Sequence, residues 1–148
     1  MREMMAVYGR GKRAAKKEIM ERLSQINGRI YDLVAYRTDK TPVISVIVGN
    51  VNSRHIRNCA ILLTPGGGGF SARAGCVVSY GMSPRDTLTL SSIGEEECVI
   101  AVQRRFPTVW GGTVERQELV VKRNGRTPEQ VLVREGALLL LGAYGPEV

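Results

Sequence analysis

Four consecutive glycines follow an apolar stretch near the middle of the chain, and they are the strongest candidate for chemistry. The stretch from Ile61 to Gly75 reads I-L-L-T-P-G-G-G-G-F-S-A-R-A-G. Successive backbone N–H groups that no side chain shields can form a nest for an anion, and a nearby arginine supplies a counter-charge. A flexible surface turn is the alternative interpretation. The candidate anion-binding residues here are Gly66, Gly67, Gly68, Gly69 and Arg73.

A second loop carries hydrogen-bonding groups directly after another apolar stretch, Val43 to Val48. It offers two amides, a hydroxyl, a guanidinium and the single imidazole of the chain. If the two apolar stretches are parallel strands, both loops lie at the carboxyl edge of one sheet, where open α/β sheets bind ligands. Otherwise Ser53 caps a short helical turn and His55 is an ordinary surface residue. The candidate ligand-binding residues in this loop are Asn50, Asn52, Ser53, Arg54 and His55.

The glycines match neither common nucleotide-binding motif. Gly67, Gly69 and Ala72 satisfy G-x-G-x-x-A, but an apolar stretch begins again at about Cys76 and leaves no room for the helix of that motif. The sequence also lacks G-x-x-x-x-G-K-[ST] and the G-x-S-x-G nucleophile elbow. We therefore expect an anionic ligand, a nucleotide or a phosphorylated metabolite. Whether the chain is an enzyme, and whether it uses a cofactor, stay open.

The three cysteines are interpreted as buried thiols of a cytosolic protein, since each one begins an apolar stretch. They are Cys59, Cys76 and Cys98. His55 with Cys59 and Cys76 would supply three metal ligands, but the sequence has no C-x-x-C pair and suggests no fourth ligand. No metal site is predicted.

Length and hydropathy predict one cytoplasmic domain. A chain of 148 residues can bury its own core. No apolar run approaches the ~20 residues of a membrane span, and the basic N-terminus lacks the apolar core of a signal peptide. We therefore expect no membrane association.

Positive charge is concentrated at the N-terminus. The first 24 residues carry four of the seven net positive charges. This predicts a flexible basic arm over residues 1–11, followed by a single domain over residues 12–148. Such an arm can attract nucleic acid, although a basic cluster is also a common form of solvated helix face. The basic residues of this cluster are Arg10, Lys12, Arg13, Lys16 and Lys17.

Two helices are predicted, one near each end of the chain. The first begins at about Lys12, shows an apolar stripe at helical spacing and stops at Asn27-Gly28. The second begins with Thr127-Pro128 in a capping box and ends near Gly142. Its latter half is apolar all round, which is typical of a buried helix or of one that pairs with another subunit. We expect a homo-oligomer, most simply a dimer, and an interaction protein using this helix is an alternative function.

Six segments between the helices have strand character. Short links between them favour a mixed sheet over a fully doubly wound one. We predict a single α/β or α+β domain with a mixed, mostly apolar sheet of about five to seven strands between an N-terminal and a C-terminal helix. The segments are Val43–Val48, Cys59–Leu63, Cys76–Tyr80, Thr87–Leu90, Cys98–Val102 and, at an edge, Val114–Lys122.

Three of these segments resemble part of a known enzyme family. I-L-L-T, followed by V-V-S-Y-G-M-S-P-R-D-T-L-T-L-S-S-I, resembles the late strands of the central domain of Mur-type peptide ligases. In those enzymes a strand ending in Y-G precedes an alternating strand. In that family the first of these strands has an I-L-N-x-D-D-like end, which carries an acidic pair. Here Gly66 to Gly69 stand in place of that pair, and the family's phosphate loop is missing. The resemblance implies a related arrangement of strands.

Overall fold

A computed structural model of the chain describes residues 5–26, 43–49, 58–67 and 74–143. These residues form nine strands and two helices. The strands are β1 (Met5–Gly9), β2 (Ile44–Val48), β3 (Cys59–Pro65), β4 (Ala74–Tyr80), β5 (Leu88–Ile93), β6 (Glu97–Val102), β7 (Phe106–Pro107), β8 (Thr113–Val114) and β9 (Gln117–Lys122). The helices are α1 (Lys12–Ile26) and α2 (Pro128–Leu140).

Seven strands form one mixed sheet in the order β1-β2-β3-β4-β5-β6-β9. Strands β1 to β5 run parallel to one another. Strand β6 pairs antiparallel with β5, and β9 pairs antiparallel with β6. The two short strands β7 and β8 pair with each other. The predicted mixed sheet between two helices in a single α/β domain is confirmed.

Residues 5–9 form a strand and are not part of the flexible arm that the sequence had predicted for residues 1–11. Met5 to Gly9 is paired in parallel with β2 along its whole length, from Met5 beside Ile44 to Gly9 beside Val48. Met5 is fully buried and Ala6 is 6% exposed. The short apolar run M-A-V-Y was overlooked because the basic residues that follow it dominate the composition of this region. Those residues belong to α1 and to the turn before it.

Both helices pack against the same face of the sheet. Helix α1 contacts β1, β2 and α2, and α2 contacts β2 to β5. Gly136 allows this close packing, because a Cβ atom there would lie 3.0 Å from Leu88 and 3.2 Å from Leu63. The predicted capping box is present, with Thr127 and Gln130 exchanging side-chain to backbone hydrogen bonds of 3.2 and 2.9 Å.

Helix α2 is enclosed within one chain. The leucines at its end, Leu138 to Leu141, are at most 6% exposed. The segment around β7 and β8 covers this end, since Val109 and Trp110 donate hydrogen bonds to the carbonyls of Leu140 and Leu141 at 2.9 and 2.7 Å. The apolar surface on which the predicted subunit interface rested is therefore already used inside the fold, and a dimer would need a different surface.

A buried ion network connects α2 to the turn after β9. Arg126, 8% exposed, lies 3.5 Å from the carboxylate of Glu135, which is 2% exposed. Arg134 also contacts Glu135, and Glu18 of α1 lies 4.0 Å from Arg126. Arg126 further donates to the backbone carbonyls of Lys122 and Arg123. The network fixes where α2 starts relative to the sheet.

Within the described residues, neither helix combines the length and the apolar character needed to cross a membrane.

Substitution of Met5 tests whether β1 is part of the core. Met5→Ala removes a fully buried side chain and should lower the free energy of unfolding by about 2–5 kcal/mol. The exposed control Glu21→Ala should change it by less than about 0.5 kcal/mol. Urea denaturation measures both. Equal, small effects would show that residues 5–9 do not pack as described.

Candidate functional site

Glycines stand at the carboxyl ends of the first four strands. Gly9 ends β1, and Gly49, Gly66 and Gly81 directly follow β2, β3 and β4. Because these strands are parallel, all four glycines lie at the same edge of the sheet. Gly9 and Gly49 have φ values of 107° and 69°, which disfavour other residues. The carboxyl edge is therefore lined by backbone.

Two adjoining cavities open at this edge. The larger, of about 820 Å³, is bounded by the ends of β2, β3 and β4, the β4–β5 loop and the first turn of α2. The smaller, of about 310 Å³, lies between the first turns of α1 and α2. Both are lined by Gly49 and Glu129, so they adjoin, and the two together are called the cleft.

A buried carboxylate forms part of the larger cavity. Asp86 is 4% exposed, and its Oδ2 accepts a hydrogen bond from the backbone N–H of Ser83 at 3.0 Å. The carboxylate lies against two of the strand-end glycines. A Cβ atom would come within 2.1 Å of its Oδ1 at Gly66 and within 2.6 Å of its Oδ2 at Gly81. Glycine at these two positions thus makes room for an internal carboxylate.

Tyr80 ties the ends of β2, β4 and α2 together. Its hydroxyl donates to the carbonyl of Ile47 at 2.7 Å and lies 3.5 Å from Oε1 of Glu129. Burial and the negative charge of Glu129 raise the pKa of Tyr80. Tyr80 is thus a neutral hydrogen-bond donor in the wall of the cleft.

The smaller cavity combines two helix N-termini with charged side chains of both signs. The N-termini of both helices line it, and a helix N-terminus carries partial positive charge. In α2 the capping box uses the N–H groups of Thr127 and Gln130, and Pro128 has no N–H. Gly11, with φ of 87°, precedes α1, whose first turn contains no acidic residue. The exposed Arg10 lines the same cavity. Glu18 and Glu129 line it with negative charge, Glu129 at the junction with the larger cavity, and Arg134 is a second cation.

The structure brings part of the predicted site together. Gly66 and Gly67 line the larger cavity, beside Gly49 from the end of β2. Strands β2 and β3 are parallel, so both predicted loops begin at the same edge. The other candidates lie outside the described residues: Gly68, Gly69, Arg73, Asn50, Asn52, Ser53, Arg54 and His55.

Several residues of the cleft were missed by the sequence analysis. Asp86, Tyr80 and Glu129 were not among the predicted site residues, and Gly11 was placed in the flexible arm. The signal that was present is the repeated placement of glycine directly after an apolar strand. In a parallel sheet, that repetition points to one shared edge.

The cysteines are not part of the cleft as described. Cys59 and Cys98 are buried and Cys76 is half-buried, all as free thiols. Burial raises the pKa of Cys59 and of Cys76. Among the described residues, no group of three or more His, Cys, Asp and Glu side chains could hold a metal ion.

No protein-family model, curated protein or solved structure matches this chain.

A pair of substitutions tests the contact between Gly66 and Asp86. Gly66→Ala should destabilise the fold by about 1–3 kcal/mol, because the added methyl group overlaps the carboxylate. In an Asp86→Ala background the same change should cost much less, giving a coupling free energy of at least about 0.5 kcal/mol in urea denaturation. Gly75→Ala is the control, since a Cβ there is 3.4 Å from its nearest neighbour. Additive effects would contradict the contact.

Tyr80→Phe tests the neutral tyrosine. At about pH 7 the change should cost about 1–3 kcal/mol, because the buried carbonyl of Ile47 loses its donor. The folded-state pKa is raised, so the tyrosine contributes stability that is present below the unfolded pKa of about 10 and is lost as the pH rises above it. The difference in the free energy of unfolding between wild type and variant should therefore be smaller at about pH 10.5 than at about pH 7. A difference that stays constant or grows with pH in urea denaturation would contradict the assignment.

Proposed function

We propose that the chain binds an anionic small molecule, a nucleotide or a phosphorylated metabolite, in the cleft at the carboxyl edge of its parallel strands. One observation carries this proposal: the first turns of both helices line the same small cavity. Two helix dipoles thus direct their positive ends at one cavity. The residue before α1 is Gly11, which has no side chain to cap the first N–H groups, whereas the capping box of α2 leaves the N–H of Glu129.

The start of α1 is unfavourable for the helix itself, and this supports an anion site. Lys12 and Arg13 occupy its first turn. Cations at a helix N-terminus oppose the helix dipole, an effect of about 0.3–1 kcal/mol per charge. A bound phosphate would place negative charge at this N-terminus, where it would interact favourably with the helix dipole and with both cations. Departures from local sequence preferences of this kind are expected at functional sites.

The larger cavity suits the uncharged part of such a ligand. Carboxylates such as Asp86 and Glu129 accept hydrogen bonds and repel anions, so they suit hydroxyl or amino groups. Tyr80, Leu132 and Pro128 add apolar wall. We infer that the phosphate lies in the smaller cavity, near Gly11 and Arg10, and that a sugar or base lies in the larger one.

Thermal shift assays and calorimetry test the proposal. The probes are ATP, GTP, a hexose phosphate and pyrophosphate, with adenosine and glucose as phosphate-free counterparts. At least one phosphorylated probe should raise the melting temperature, and its phosphate-free counterpart should raise it less. Arg10→Ala should weaken the binding by about tenfold or more, the effect of losing a charge-assisted hydrogen bond.

Ala14→Glu separates ligand binding from folding. Ala14 is exposed and lines the smaller cavity in the first turn of α1. A glutamate there should leave helix stability unchanged or improved, because it complements the dipole, yet it places a negative charge where the phosphate would lie. Phosphate binding should fall about tenfold or more. Gln25→Glu, an exposed site at the other end of α1, is the control of equal charge.

Two results would contradict the proposal. One is that no phosphorylated probe shifts the melting temperature. The other is that Ala14→Glu binds the probe as well as wild type does. Binding of an oligonucleotide that falls steeply with salt and is unaffected by Ala14→Glu would instead favour nucleic acid on the exposed basic face of α1.

A further inference from the structure

Strand β9 ends the sheet, and one of its edges faces no other strand among the described residues. It pairs with β6 on one side, and no described strand pairs with its other side. The N–H of Arg123 donates to the carbonyl of Glu96 at 2.7 Å, which sets the alternation of the antiparallel ladder. By that alternation, the backbone groups of Glu118, Val120 and Lys122 point away from the sheet.

The outward-facing residues also share one face of the strand. Leu119 and Val121 pack toward the core, so Glu118, Val120 and Lys122 lie on the opposite face, where all three are exposed. Val120 is 63% exposed, the largest exposure among the large apolar side chains described. An open strand with an exposed apolar side chain is a template for pairing with another strand.

We propose that β9 pairs antiparallel with β9 of a second copy of this chain, giving a twofold dimer with a continuous sheet. In the register centred on Val120, the two Val120 residues face each other. Glu118 of each copy then lies opposite Lys122 of the other, so the segment is complementary to itself in charge. Opposite charges at directly facing positions stabilise a strand pair.

The second face of the paired strands is complementary as well. Leu119 of each copy lies opposite Val121 of the other, which extends the core across the twofold axis. Arg126 already donates to the carbonyl of Lys122, so that acceptor is shared. The amides of Val120 and Lys122 remain to bond the carbonyls of Val120 and Glu118 in the second copy. This self-complementarity favours a second copy over an unrelated strand.

The expected dimer is weak. One six-residue strand edge is small beside a standard interface of about 1,600 Å². Dissociation is therefore expected at micromolar concentrations. Sedimentation velocity of the full chain from about 5 to about 500 µM should show a shift from monomer to dimer that is more than half complete at the upper end.

Charge exchange tests the register. Glu118→Lys places lysine opposite Lys122, and Lys122→Glu places glutamate opposite Glu118, so each single variant should weaken dimerisation at least about tenfold. The double variant Glu118→Lys/Lys122→Glu restores both pairs and should dimerise like wild type. Glu95→Lys, an exposed charge change in the β5–β6 turn, is the matched control and should have no effect.

Val120→Pro tests the backbone contribution. The amide of Val120 faces outward, so proline removes no hydrogen bond to β6 and the fold should persist by circular dichroism. Dimerisation should be lost. The proposal is overturned if wild type stays monomeric throughout the range, if the single charge variants dimerise like wild type, or if the double variant fails to recover.

Discussion

The structure depends on the enclosure of one apolar helix, α2, by a single chain. Gly136 brings its axis close to Leu63 and Leu88. Glu135, within the buried part of the helix, requires a partner because an unpaired buried charge is strongly destabilising. Arg126 supplies that charge and also bonds the backbone after β9. The same contacts that bury α2 thus set its N-terminus at the carboxyl edge, where the cleft forms.

The cleft divides into two parts in which glycine has different roles. Near α1, Gly49 adopts a positive φ beside two helix N-termini, Arg10, Glu18 and Glu129. Near β3 and β4, Gly66 and Gly81 already surround the carboxylate of Asp86. Glycine at a strand end therefore has two physical origins in this molecule. The anion that we propose lies near Gly49, at the end of β2. The run of four glycines follows a different strand, β3.

Much of the fold could be predicted because its apolar runs, capping box and glycine stops are local signals. Strand β1 was missed because its few apolar residues stand beside a dense basic cluster, and only pairing with β2 identifies it. The sequence did not show what buries α2, because a helix that is apolar on all sides has the same pattern whether it packs within its own chain or against a partner. For the site, the sequence analysis placed the two loops at one edge on the condition that β2 and β3 are parallel, and they are. Asp86 was not identified, because nothing local distinguishes a turn carboxylate that folds back against glycines.

The position of α2 in the chain has a consequence for biogenesis. The helix contacts β2 to β5, yet it is translated after every strand of the sheet. While the ribosome adds those strands, the apolar face that α2 will cover has no permanent neighbour. Chains at that stage expose surface that is prone to aggregation. Completion of the fold therefore waits for residues 128–140, and a nascent chain halted before them is expected to be a preferred client of chaperones.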